Sequence, residues 1–140
     1  MENRAAGVFI LRVLLGIIFL MQGYGKVIGF GMAALYENAF QAYESTFLPT
    51  FLIKGVAYFT SYAELIGGAM LILGLGRKWA LYMLGLVLLM VSYGHGLQQP
   101  IWDLSHVFPR AMMLVSLLFL PENWDKWQLD RFLMKKESPV

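Results

Sequence analysis

Four long apolar segments constrain the fold of this chain more than any other feature. Each is close to the roughly 20 residues that an α-helix needs to cross the hydrocarbon core of a bilayer. Because a backbone in lipid must satisfy its own hydrogen bonds, such segments become helices. The sequence therefore predicts an all-α integral membrane protein, one domain over residues 1–140 built as a four-helix transmembrane bundle. The predicted spans are residues 6–26, 51–75, 79–98 and 100–120.

The composition favours the lipid bilayer as the main partner. Of the 140 residues, 59% are hydrophobic and 14% are charged, which is more apolar surface than a soluble domain of this size can bury. The net charge of +2 is spread along the chain, so no nucleic-acid partner is expected. The chain has no cysteine, which excludes disulfides and thiolate metal sites. We expect no metal centre.

Basic residues outside the spans predict the orientation. By the positive-inside rule, both termini and the short turn at 76–78 face the cytoplasm. The connections at 27–50 and 98–101 contain no lysine or arginine and face outward. Pro109 falls inside the fourth predicted span and is expected to kink it. The basic residues that set this orientation are Arg4, Arg77, Lys78, Lys126, Arg131, Lys135 and Lys136.

Two segments outside the spans have amphipathic patterns. Residues 32–44 repeat apolar side chains at i, i+3 and i+4, which predicts an interfacial helix on the outer surface. Residues 122–140 mix tryptophan and other apolar side chains with basic ones. This pattern predicts a cytoplasmic amphipathic tail that is anchored by tryptophan at head-group depth.

Polar side chains inside the spans are the candidate functional residues. An ionisable group at the bilayer centre costs on the order of 2.5–3.5 kcal/mol on insertion scales, so it should face the bundle interior and have a partner. Glu64 and Arg12 both fall near mid-membrane, and we expect them to form an ion pair that is either a structural brace or part of the chemistry. In the first span, Arg12 shares one helical stripe with Gly16, Phe19, Gly23 and Lys26.

The remaining polar residues of the spans fall in the outer half of the membrane, because neighbouring helices alternate in direction. Their convergence predicts one ligand-binding cavity that opens outward beneath the amphipathic connection. His95 and His106 come from adjacent helices at similar depth, as haem ligands do, but two histidines near a turn more often form hydrogen bonds, so haem is not expected. The predicted lining residues are Gln22, Lys26, Ser61, Ser92, His95, Asp103, His106 and Arg110.

Several motifs together carry a family resemblance. They are Leu11-Arg12-x-x-Leu15-Gly16-x-x-Phe19 with Gly23-x-x-Lys26, Ala63-Glu64-Leu65-Ile66-Gly67-Gly68 with Leu73-Gly74-Leu75-Gly76-Arg77, and Asp125-Lys126-Trp127-x-Leu129-Asp130-Arg131. With these motifs, nearly the whole chain resembles the DoxX family of small four-span bacterial membrane proteins.

The resemblance implies a multi-pass protein of the bacterial plasma (inner) membrane, with relatives that include the DoxD subunit of thiosulfate:quinone oxidoreductases. It points to Arg12, Lys26 and Glu64 as functional residues. Many relatives have His-Gly where this chain has Gln22-Gly23, so a role for a titratable imidazole there does not carry over. A glutamine still donates a hydrogen bond to a carbonyl.

Different classes of function fit these residues, and whether the chain is an enzyme stays open. The first is a quinone-interacting or membrane-anchoring subunit of a redox system, which requires a redox partner subunit because no residue in the chain can hold the electrons. The second is a non-enzymatic factor that binds a lipid or small amphiphile, or assembles another membrane protein. The hypothesis of a transporter is weaker, since four spans without a repeat leave little room for alternating access. Transport would require a homo-oligomer.

Overall fold

Every regular element that the structure describes is helical. The computed structural model describes residues 2–99 and 104–137, and the expected site residue Asp103 lies outside them. The helices are α1 (Glu2–Tyr24), α2 (Met32–Leu35), α3 (Thr50–Leu73), α4 (Arg77–Gln98), α5 (Phe108–Phe119) and α6 (Leu129–Glu137), with π-helical turns at Gly25–Phe30 and Tyr36–Phe40 and 3₁₀ turns at Gln41–Ser45 and Glu122–Trp124.

Within the described residues, three helices are long and apolar enough to cross a membrane. α1 with its π-helical continuation covers Glu2–Phe30, and α3 and α4 contain 24 and 22 residues. The first three predicted spans are thus confirmed as apolar helices of sufficient length.

The fourth apolar segment forms a shorter helix than expected. α5 has 12 residues, which extend about 18 Å at 1.5 Å per residue. Residues 104–107 lie outside any helix, so the prediction of one continuous helix over 100–120 is wrong at its start, and residues 100–103 lie outside the described part. Pro109 lies in the first turn of α5, where the missing N–H is tolerated. The predicted kink is therefore wrong.

Glycines fix the register between α1 and α3. A Cβ on Gly23 would lie 2.3 Å from the backbone nitrogen of Leu65, and one on Gly68 would lie 2.3 Å from that of Leu20. No larger side chain fits at either contact, so the two antiparallel backbones meet directly. The core beside this contact includes fully buried side chains of α1, α3, α4 and α5, among them Leu15, Phe19, Leu71, Leu84 and Leu117.

The connection between α1 and α3 is helical but irregular. The single interfacial helix predicted over 32–44 is divided into α2, a π-helical turn and a 3₁₀ turn. Its predicted polar side chains are exposed, whereas most of its apolar ones are partly buried. The amphipathic pattern is therefore confirmed and the regular α-helix is not, because the changes of helix type shift the angular position of successive side chains. Its placement on a membrane surface stays a prediction.

The other end of the bundle contains the α3–α4 turn and the C-terminal segment. Gly74 and Gly76 have φ values of +69° and +51°, a left-handed conformation that glycine adopts without strain. The Asp130 carboxylate accepts a hydrogen bond of 2.6 Å from the backbone N–H of Gly76. We call this end, with the N-terminus, the turn end. The opposite end, with residues 25–49, is the connection end.

Candidate functional site

An ion pair between α1 and α3 is the centre of the candidate site. Glu64 on α3 is only 1% exposed, and its Oε2 accepts a hydrogen bond of 2.6 Å from Nζ of Lys26. Lys26 lies on the π-helical turn that continues α1, and 26% of its side chain is exposed. The carboxylate is thus enclosed by protein, while the lysine side chain is partly exposed.

A buried cation from α5 lies beside this pair. Arg110 of α5 donates from Nη1 to Oε1 of Gln22 and from Nε to the backbone carbonyl of His106, the latter at 2.7 Å. Its guanidinium lies 5.7 Å from the ring centroid of Phe19, and its charge interacts through space with Glu64. We call Gln22, Lys26, Glu64 and Arg110 the Glu64 cluster.

A cavity of about 480 Å³ lies beside the cluster at the connection end. Its walls come from α3, α4 and the connection, and Lys26 also lines it. Gly94 lets Tyr43 approach α4, since a Cβ there would lie 3.2 Å from the phenolic oxygen. Burial raises the pKa of Tyr43, so the phenol is a donor at neutral pH. The polar lining includes Lys26, Asn38, Tyr43, Thr60, His95, Gln98 and Gln99.

The two histidines lie at this end of the bundle and touch each other. Their ring centroids are 5.2 Å apart, and the ring planes are inclined by 67°. A haem with both as axial ligands would have its macrocycle between the two imidazoles, and this contact leaves no space for it. Within the described residues, no group of three or more histidine, aspartate or glutamate side chains could hold a metal ion.

The hydroxyl groups of the two predicted serines donate hydrogen bonds within their own helices rather than into the cavity. Ser61 donates to the carbonyl of Ala57 and Ser92 to that of Leu88, each at 2.7 Å and each within its own helix. Ser92 lines a different space, an apolar groove of about 450 Å³ between α4 and α5. The predicted convergence is therefore partial. Of the residues that meet at the connection end, Lys26 and His95 line the cavity. The others, which do not line it, are Gln22, Glu64, His106 and Arg110.

The expected ion pair between Arg12 and Glu64 is wrong. The glycine contacts place Lys26 beside Glu64, and they place Arg12 beside the last turn of α3, where it donates to the carbonyls of Leu71 and Ile72. Arg12 is therefore nearer to the turn end than its count along the first span suggested.

The partner of Arg12 is an aspartate that the sequence analysis did not single out. Asp125 is fully buried, and its Oδ2 lies 3.0 Å from Nε of Arg12 and 3.5 Å from Nη1 of Arg77. Arg77, which we assigned to a cytoplasmic turn, is 4% exposed and also donates to the carbonyls of Leu117 and Leu120. We call Arg12, Arg77 and Asp125 the Asp125 cluster.

The Asp125 cluster changes the interpretation of the tail. Arg12 donates to the carbonyl of Trp127 at 2.7 Å, and the Trp127 ring packs edge-on against Phe9 at 5.1 Å. The segment after α5 therefore packs over the turn end of the bundle, and some of its apolar side chains remain exposed. The one signal in the sequence was the position of Asp125 in the tail motif between two tryptophans.

The family model named DoxX matches residues 7–95, well over half of the 140-residue chain. The chain belongs to the DoxX family. The matched range of this DoxX-family chain includes Arg12, Lys26 and Glu64, whereas Arg110 and Asp125 follow it. Among curated proteins and solved structures, no match to the chain was found.

Proposed function

We propose that this DoxX-family protein is a quinone-interacting subunit of a membrane redox system, with its head-group site in the cavity at the connection end. The observation that carries the proposal is the position of Lys26, whose partly exposed side chain lines a mainly apolar cavity while its counter-ion Glu64 is buried. Cavities of about 300–1,000 Å³ with apolar walls and few polar groups are typical of small-molecule sites.

The chemistry that these residues offer is hydrogen bonding and proton exchange. Reduction of a quinone to a quinol takes two electrons and two protons, and the electrons would come from a redox partner subunit. Lys26 and Tyr43 can donate hydrogen bonds to the quinone oxygens. Lys26 can transfer one proton from its ammonium to a reduced quinone oxygen, and water at the cavity would supply the second proton and reprotonate Lys26.

Quinone binding by variants of the pair tests this proposal. The protein is placed in lipid nanodiscs, and the affinity for decylubiquinone is measured by quenching of tryptophan fluorescence. Lys26→Met removes a charged donor, which is worth about 1.5–3 kcal/mol, so we expect affinity to fall roughly 10- to 100-fold. Glu64→Gln is expected to change the affinity as well. The matched control is Lys54→Met, because Lys54 is exposed and lies over the Tyr36 ring rather than at the cavity.

Absence of quinone binding by the unmodified protein would refute the quinone role. Equal affinities for the Lys26→Met and Lys54→Met variants would refute the placement of the head group at Lys26.

The alternative function is a non-enzymatic factor that binds lipid or assembles a membrane protein. The groove between α4 and α5 favours it, because its walls are almost entirely apolar and it is open along the helices. Native mass spectrometry from membranes distinguishes the alternatives: a stoichiometric protein partner without quinone supports assembly, and retained phospholipid supports lipid binding. The same spectrum gives the homo-oligomeric state.

The proposed setting is the bacterial plasma membrane, with four spans and both termini in the cytoplasm. In this arrangement α5 and the residues before it form the fourth span, and the basic residues of the turn end face the cytoplasm. Because the chain has no cysteine, single cysteines report topology without further changes. A membrane-impermeant maleimide should label Ser45→Cys in intact cells and should label Lys78→Cys only after lysis. The reverse pattern would contradict the orientation.

A further inference from the structure

The charges around Lys26 indicate which class of ligand the cavity favours. In the Glu64 cluster, two cations, Lys26 and Arg110, accompany one carboxylate. Glu64 uses Oε2 for Lys26 at 2.6 Å and is 1% exposed, so a ligand in the cavity meets the ammonium rather than the carboxylate. No aspartate or glutamate is among the described residues that line the cavity.

Arg110 adds positive charge that its hydrogen-bond partners do not neutralise. Arg110 is 5% exposed, and its guanidinium donates to the amide oxygen of Gln22 and to the backbone carbonyl of His106. Its one described charged neighbour is Glu64, which Lys26 already pairs. Charges in a low-dielectric interior act over longer distances than charges in water, so the field of this cluster extends into the adjacent cavity.

We propose that the cavity selects an amphiphile whose head group carries a negatively charged oxygen, with Lys26 as its direct contact and Arg110 as a second source of positive charge. The proposal rests on the proposed function in one respect only, that the same cavity is the ligand site. For a quinone, the field would stabilise negative charge as it develops on a ring oxygen during reduction. Apolar side chains from α3 and the connection would surround the alkyl chain.

The apolar walls support an amphiphile rather than a free anion. Leu35 and Phe40 of the connection, and Leu52, Ile53 and Val56 of α3, line the same cavity as Lys26. A soluble inorganic anion would leave these side chains against water, whereas an alkyl chain covers them at about 25 cal/mol per Å². The head group and the chain are thus recognised by different walls.

A series of ligands with one alkyl chain and different head groups tests the selectivity in the unmodified protein. Decanesulfonate, decanol and decylammonium are titrated into nanodiscs of zwitterionic lipid that contain the protein, and binding to empty nanodiscs is subtracted. We expect decanesulfonate to bind at least tenfold more tightly than decanol, and decylammonium to bind most weakly. Equal affinity for the sulfonate and the alcohol, or tighter binding of the ammonium, would overturn the proposal.

A variant of Arg110 tests its contribution to the selectivity. Arg110→Gln should reduce the ratio of sulfonate to alcohol affinity about tenfold while decanol affinity changes little, because Arg110 does not line the cavity. Lys78→Met, at the turn end, is the matched control and should leave the ratio unchanged. An unchanged ratio in a folded Arg110→Gln protein would refute the role of Arg110, and the comparison of ligands on the unmodified protein stands even where that variant does not fold.

Decylubiquinone in the same assay separates this inference from the proposed function. Quinone binding without preference for the sulfonate refutes the anionic selectivity and leaves the quinone role in place. Preference for the sulfonate without quinone binding refutes the quinone role and supports an anionic amphiphile, such as a fatty acid, as the ligand.

Discussion

Replacing Asp125 by asparagine should destabilise the bundle more than any other change of one carboxylate at the turn end. The carboxylate is fully buried and lies 3.0 Å from Arg12 and 3.5 Å from Arg77. Removing one partner of a buried ion pair costs about 3–5 kcal/mol. Because both guanidiniums keep their bonds to backbone carbonyls, we expect the lower value, about 3 kcal/mol, or roughly 100-fold in the unfolding equilibrium.

Tryptophan fluorescence during unfolding in mixed micelles of increasing dodecyl sulfate content measures this change. Trp127 packs against Phe9, and the guanidinium of Arg4 lies 4.8 Å from the ring centroid of Trp124, so both signals report attachment of the C-terminal segment. Asp130→Asn is the matched control. Its carboxylate accepts a hydrogen bond from Gly76 and lies outside the Asp125 cluster, and we expect a loss of about 1 kcal/mol.

A loss for Asp125→Asn no larger than that for Asp130→Asn would refute this reasoning. It would mean that the two guanidiniums are satisfied by carbonyls and water alone. Destabilisation accompanied by an unchanged Trp127 environment would refute the assignment of the effect to the C-terminal segment.

Two further predictions concern other parts of the chain. Gly68→Ala should destabilise the protein by about 2–3 kcal/mol, since its Cβ would lie 2.3 Å from the backbone of Leu20 and overpacking forces backbone shifts. In the same unfolding assay Gly55→Ala, which meets nothing within 4 Å, should cause no loss and a gain of up to about 1 kcal/mol from helix propensity. The hydrogen bond to the Glu44 carboxylate, followed by burial and the carboxylate's charge, raises the pKa of Tyr36 to about 12; Glu44→Gln should lower this pKa toward 10 in a spectrophotometric titration, and an unchanged pKa would contradict the assigned cause.

Helical periodicity predicted which side of α1 is buried. Arg12, Gly16, Phe19 and Gly23 were placed on one stripe, and all four are buried. The 3.6-residue repeat is a local property of one helix, so sequence alone is sufficient to find such a face. The first three spans were found for the same reason, from local apolar length.

The relative positions of charged side chains along the bundle axis, when they lie on different helices, were harder to predict. Arg12 was paired with Glu64 by counting along two helices, but the register depends on the direct contact of Gly23 with Leu65 and on the shape of the connection. Asp125 was missed because its burial depends on the chain turning back over the turn end after α5. Neither the contact nor the reversal has a local signature in the sequence.

The contact of Arg12 with the C-terminal segment also has a consequence for biosynthesis. Arg12 donates to the carbonyl of Trp127, which lies 115 residues later in the chain, and synthesis proceeds from the N-terminus. During translation the first helix therefore enters the translocation machinery with a guanidinium whose carboxylate partner has not yet been made. The native contacts of α1 can be completed only once the C-terminal segment has left the ribosome, so a chain that stops short of Asp125 leaves the Arg12 guanidinium without its carboxylate partner.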